Sequence, residues 1–382
     1  MNKFDDIRPF YDAEIPAAME RIAHSEYFPL LAQYVYPGQD IEKVKQLLRQ
    51  FTTIRDFQLE VMRCVNEQVI TRSITSFTFE GIEALDPAKR YLFVSNHRDI
   101  MLDACLLQYV LYQSGHETTE ITFGANLMST QLVIDIGKAN KMFRVERGGS
   151  PREFYHSSLH LSEYIRYCIT EKHQSVWIAQ RNGRTKDGID QTDQGIIKMF
   201  AMSRAKEPVE ALAELNIVPV SISYEWESCD LLKAREVYLS RGAKYVKQPG
   251  EDLNSIITGI MQPKGSVHIT FCPVITAAEL AQLFKEELSC NIGAGCGSDF
   301  NRAVARLIDQ RIISAYQLTP NNYIAYDLLE DGSTFADRYS EEQRQAFLQY
   351  MEKLNTLGIS DTDTLRDIFL GIYANPIKSK KS

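Results

Sequence analysis

From about Phe77 onward the chain alternates short β-rich runs with helical stretches, and this limits the folds open to it more than any other feature. RYLFVS precedes DIMLDACLLQYVLY, EITFGA precedes LMSTQLVIDIG, and MFRVE precedes PREFYHSSLHLSEYIRYCI; SVWIA, IVPVSISY and SVHITFCPVI complete the set. Such alternation predicts an α/β fold, a parallel-rich central sheet covered by helices. Several of the runs are apolar throughout, as strands are when both faces of their sheet are covered.

The flanks have a different period. QDIEKVKQLLRQF and RDFQLEVMRCVNEQVI space their apolar residues by three and four, which predicts an N-terminal helical region over 1–80. The α/β part is expected over 81–275 and a C-terminal helical region over 276–382. In that last region Val304, Leu307, Ile308 and Ile312 form one stripe of DFNRAVARLIDQRIISAY, and YSEEQRQAFLQYMEKLN is a second amphipathic segment. GAGCGSD and LTPNNYIAYD read as loops, and the final IKSKKS as a disordered basic tail.

A net charge of −8 excludes a general nucleic-acid binder, because phosphate neutralisation needs a basic excess. The seven cysteines are scattered, odd in number and without a C-x-x-C pair, which argues against a disulfide framework or structural zinc and suits a reducing cytoplasm. MNKFDDIRPFYDAEIP has no apolar core and is not a secretory signal. IMLDACLLQYVLY is too short, and interrupted by Asp103, to cross a bilayer. The expectation is a cytoplasmic protein that can still lie on a membrane surface.

Four strand ends hold the candidate chemistry. SNHRDIMLD carries Asn96, His97, Arg98, Asp99 and Asp103; MFRVERGG carries Arg144 and Arg147; WIAQRNGRTKDG carries Arg181, Asn182, Gly183, Arg184 and Lys186; IVPVSISYEWE is mostly apolar. Ligands of open α/β sheets gather at the carboxyl ends of the strands, so the two basic clusters point to one anion site, with arginines suited to phosphate. Each arginine could instead pair with the surplus carboxylates, and Asn96 and Asp99, three apart, could cap the following helix. A neutral histidine accepts a proton near pH 7, and a neighbouring carboxylate fixes its tautomer. With no G-x-S-x-G and no cysteine in a nucleophile's setting, the residues point to a histidine–acid pair that activates a substrate hydroxyl. His156 and His160, four apart, lack an adjacent acid ligand, so no metal is expected; Trp177 in SVWIA is expected in the core.

In their order, SNHRDIMLD, FRVER, QRNGRTKDG and IVPVSIS resemble the four blocks of the glycerolipid acyltransferase family, which includes glycerol-3-phosphate and lysophosphatidate acyltransferases. The resemblance covers about residues 85–225. It implies transfer of a fatty acyl group from coenzyme A or acyl carrier protein, as co-substrate and without a further cofactor, to a hydroxyl of a phosphate-bearing glycerolipid acceptor at a membrane surface. His97 would be the general base. Arg147, Gly183 and Arg184 match the family's second and third blocks, and with Asn96, Arg98, Arg144 and Lys186 of the same clusters they are expected to hold substrate. The chain departs from the family in two places. The family's aspartate falls five residues after the histidine, where this chain has Leu102, so the partner is expected to be Asp103, with Asp99 as the alternative. The glutamate of the third block is missing, Arg181 and Asn182 standing there. A non-catalytic lipid or acyl-carrier binding protein, or a thioester hydrolase, remains an alternative on this scaffold.

Overall fold

The computed structural model describes residues 3–128, 130–146, 148–290 and 296–381. Among these, seven strands form one sheet: β1 (Ile74–Glu80), β2 (Leu92–Ser95), β3 (Glu120–Gly124), β4 (Met142–Val145), β5 (Val176–Ala179), β6 (Ile217–Tyr224) and β7 (Gly265–Phe271). Their spatial order is β1-β7-β6-β2-β5-β3-β4, and every neighbouring pair is parallel except β6–β7.

The apolar runs owe their continuity to two cores, one on each face. Alternate residues of a strand point to opposite sides, so Leu92 and Val94 of β2 join Val176 and Ile178 beneath the Pro151–Thr170, Gln194–Ala201 and Cys296–Ala315 helices. Phe93 faces the other way, with Trp177, Val218 and Val220, against the Leu102–Gln113 helix. All four residues of β2 and all eight of β6 are buried. With a strand buried on both faces, the chain meets a cavity only where the strand stops. For β2 that is the stretch after Ser95.

The N-terminal helices enclose a third core around Ile15, Met19, Phe51 and Phe57, which packs on Cys105 and Ala139. The C-terminal helices enclose a fourth, in which the rings of Phe347, Phe369 and Tyr373 pack at an angle to one another near Ala234 of the Asp230–Ser240 helix.

Three expectations are corrected. Residues 1–80 are not all helical, since Ile74–Glu80 is a strand; as an edge strand bonded only to β7 it stays largely exposed and so lacks a clear apolar run. LTPNNYIAYD is not a loop. Thr319 and Asn322 form a capping box, Pro320 opens the Pro320–Leu329 helix, and Ile324 and Ala325 are buried, so the turn-like residues mark a helix start. The basic tail is not disordered through Lys381. It ends the Thr362–Lys381 helix, where Ile377 is buried, Lys378 pairs with Glu330 at 2.6 Å, and Lys380 donates to the Ser314 carbonyl at 2.7 Å. GAGCGSD lies partly outside the described residues.

The loop after β5 is pressed onto this terminal helix. Gly188 has φ +78°, and a Cβ there would lie 2.1 Å from the Ile372 carbonyl oxygen. Gly188→Ala is therefore expected to lower stability by about 2–4 kcal/mol, through strain and loss of the contact. Chemical denaturation measures this, and an unchanged midpoint would mean that loop and helix separate without cost.

Candidate active site

The site is assembled where β2 ends. Asn96 is fully buried and clamps the strand exit to β6: its Oδ1 accepts from Ile222 N at 2.8 Å and its Nδ2 donates to Ile222 O at 3.0 Å. The chain then turns through His97–Arg98–Asp99 into the Leu102–Gln113 helix. Asp99 Oδ1 accepts from Met101 N and Leu102 N, both at 2.8 Å, and so caps the helix.

Asp103, in the first helical turn, is fully buried and gathers four donors. Oδ2 faces His97 Nδ1 at 2.9 Å and accepts from Arg98 N at 2.7 Å and Asp99 N at 2.9 Å, while Oδ1 accepts from Tyr224 OH at 2.8 Å. Burial, with Asp103 and Asp99 beside it, pushes the Tyr224 phenol well above its ordinary pKa, so the hydroxyl stays a donor. A carboxylate only accepts, so Nδ1 carries the imidazole proton and Nε2 is the nitrogen left to act as a base. The edge of Trp177 packs at 6.0 Å from the His97 ring, and its Nε1 donates to Ser95 Oγ at 3.0 Å.

His97 opens onto a cavity of about 80 Å³ that is also lined by Ile100, Trp177, Gly183, Arg184 and Lys186. The third sequence cluster arrives here because Thr185 N donates to the His97 carbonyl at 2.7 Å. Gly183 has φ +79° and presents no side chain. Arg184 is 8% exposed, and its Nη1 is buried without a hydrogen-bond partner among the described residues. Lys186 reaches the cavity while pairing with Glu236. A larger groove of about 530 Å³ shares Thr122, Gly124 and Ala179 with the cavity and is walled by Phe154, Leu161, Ile178 and Met199. The arrangement can take a proton, hold an anion and shelter an apolar chain.

Residues 76–223 match the protein-family model described as Acyltransferase. Over that stretch the chain is similar to acyltransferases. No curated protein matches the sequence. Among solved structures, the 1-acyl-sn-glycerophosphate (LPA) acyltransferase PlsC from Thermotoga maritima is similar at 11% identity and a TM-score of 0.37, over 79% of this chain and 96% of that one.

Behind the cavity, the fold buries a balanced set of charges. Arg98 Nη2 donates to Asp190 Oδ2 at 2.6 Å and Nη1 to Glu227 Oε2 at 3.2 Å; Lys233 Nζ reaches Glu227 Oε1 at 2.5 Å and the Arg98 carbonyl at 2.7 Å. Burial opposes the charge on Arg98, but Asp190 and Glu227 outweigh it and raise its pKa well above the ordinary value. Asp190 also accepts from Asn96 at 3.0 Å and Thr185 at 2.9 Å, tying the first and third clusters together.

The sequence-predicted residues therefore divide. His97, Gly183, Arg184 and Lys186 line the cavity, with Asp103 directly behind the histidine. Asn96, Arg98 and Asp99 do not line it, their polar groups being spent on the strand clamp, the charge network and the helix cap. Arg144 is also elsewhere: it is half exposed on edge strand β4, pairs with Glu146 at 2.6 Å, and lines a separate cleft with His156 and His160. Arg147 lies outside the described residues. Trp177 is core, as expected, and also a cavity wall. Sequence reasoning missed Tyr224, Asp190, Glu227 and Lys233: Tyr224 ends β6 and Glu227 follows it, whereas Asp190 lies in the loop after β5 and Lys233 in the first turn of the Asp230–Ser240 helix, with no pattern to single them out.

Glu227→Ala would leave Arg98 and Lys233, each 1% exposed at the side chain, without their shared partner. Breaking a buried ion pair on one side costs about 3–5 kcal/mol. Denaturant unfolding should register a loss of that size, whereas parental stability would mean that water reaches and solvates the network.

Proposed function

We propose that the protein transfers a fatty acyl group from an acyl thioester to a hydroxyl of a phosphate-bearing glycerolipid acceptor, such as glycerol 3-phosphate or lysophosphatidate. The observation that carries this reading is the His97–Asp103 pair at a cavity also lined by Arg184, whose Nη1 has no hydrogen-bond partner among the described residues.

In this reading His97 Nε2 takes the acceptor's hydroxyl proton as its oxygen attacks the thioester carbonyl. Asp103 holds the ring and stabilises the imidazolium that forms. The tetrahedral adduct collapses, the C–S bond breaks, and the proton on His97 passes to the departing thiolate. A thiol of pKa about 8.5 leaves readily, so stripping the weakly acidic hydroxyl is the harder task, and a positioned base supplies about 10²–10⁴-fold. Arg184, with Lys186 beside it, holds the acceptor phosphate and so fixes the hydroxyl against the histidine. The neighbouring groove, walled by Phe154, Leu161 and Met199, suits the acyl chain. No helix among the described residues is long and apolar enough to cross a membrane, and the protein would meet its lipid substrate peripherally.

Thiol release from acyl-CoA and from acyl carrier protein, across a panel of hydroxyl acceptors, tests the reading. His97→Ala should fold normally and lose at least about 10²-fold in acyl transfer. Arg184→Ala should raise KM for phosphate-bearing acceptors roughly tenfold or more while sparing acceptors without phosphate. Undiminished transfer by His97→Ala would remove the histidine from the mechanism. Thiol appearing equally fast with no acceptor would make the protein a thioester hydrolase.

A further inference from the structure

The Glu251–Met261 helix has two unlike faces. Ser255 and Gly259 are buried, and a Cβ on Gly259 would come within 2.2 Å of Asp99 Oδ2, so the helix lies directly on the loop that carries His97. On its outer side Leu253, Ile257 and Met261, each four residues after the last, are 59%, 52% and 64% exposed, and Val246 just before the helix is 70% exposed. Residues four apart share a helix face, so this is a continuous apolar stripe in solvent.

The segment leading into it, RGAKYVK, holds Arg241, Lys244 and Lys247 and no acid, in a chain of net charge −8. All three cations are exposed. Lys247 pairs with Asp252, while Arg241 and Lys244 have no ion-pair partner among the described residues. Lys247 and Asp252 also line the His97 cavity, so the mouth of the site opens at the edge of this face.

We infer that the 241–261 face seats the acyltransferase on an anionic lipid surface, with the helix lying in the interface and the cavity opening toward the lipid. The inference rests on the proposed lipid substrate. An apolar stripe bordered by cations is what an interfacial helix requires, its side chains entering the acyl boundary while the basic groups meet headgroups. A second copy of the chain seated on the same face would cover the mouth that must admit substrate, whereas a bilayer supplies substrate through it.

The test is sedimentation of the full-length protein with vesicles of phosphatidylcholine alone and of phosphatidylcholine mixed with phosphatidylglycerol. The protein should partition onto the anionic vesicles, less so in high salt. Replacing Leu253, Ile257 and Met261 together by Ser should lower partitioning by roughly tenfold or more. Replacing Arg241 and Lys244 by Gln should lower it by roughly fivefold per charge. Neither variant should change acyl transfer to a water-soluble short-chain acceptor. Variants that sediment like the parent, a parent that ignores anionic vesicles, or a parent dimer that the Ser variant converts to monomer would each overturn the inference. A parent protein that transfers nothing to the short-chain acceptor would instead count against the acyl-transfer reading, independently of where the vesicles bind.

Discussion

One fully buried carboxylate organises the site. Asp103 is fully buried, and an unpaired charge in that position would be prohibitively costly. Four donors meet that charge: two backbone N–H groups of the turn and a phenol from β6, which hold it without the histidine, and the imidazole of His97. Satisfying the two backbone donors fixes the path of the turn. Satisfying the phenol ties that turn to the neighbouring strand. The histidine, bound through Nδ1, is left with a defined tautomer and orientation. The carboxylate also sits in the first turn of a helix, where the aligned peptide dipoles favour negative charge.

A second ring of buried polar groups holds this turn in place. Arg98 and Lys233 carry two positive charges, Asp190 and Glu227 two negative ones, and the set reaches from the β2 turn to the loop after β5 and the helix after β6. Glu227 N also donates to Tyr373 OH, whose own hydrogen goes to Asp230 at 2.5 Å. Burial raises the Asp230 pKa, with the tyrosine hydroxyls working against that shift. The acyltransferase match ends at residue 223, yet Glu227, Lys233, Ile372 and Tyr373 all support the cavity from beyond it. The C-terminal helices are thus structural parts of the site.

The cavity and the groove beside it differ in character for a reason of position. The cavity lies at the carboxyl ends of β2 and β5, where loops bring polar side chains together. The groove runs along the Pro151–Thr170 and Gln194–Ala201 helices, whose inner faces are apolar because they cover the sheet. A polar pocket opening into an apolar trough follows from where the sheet stops and its helical cover continues.

Much of this was legible in the chain itself. Strand–helix alternation determined the parallel-rich sheet, and the apolar run before Ser95 determined that His97 would emerge at a strand end, because period and continuity of apolar residues are local properties. The strand Ile74–Glu80 escaped notice because an edge strand faces solvent and has no such run. What the sequence could not decide was which charges meet. Leu102 occupies the position where family spacing puts the acid, and it is a core residue; Asp103 faces the histidine only because the turn takes one particular path. Arg98 reads as a ligand-binding group but turns inward to partners 92 and 129 residues away, and Arg144 reads as one but ends on an exposed edge. Local patterning fixes elements. The pairing of buried charges depends on strand order and on the completeness of each donor set, and these exist only once the chain has closed on itself.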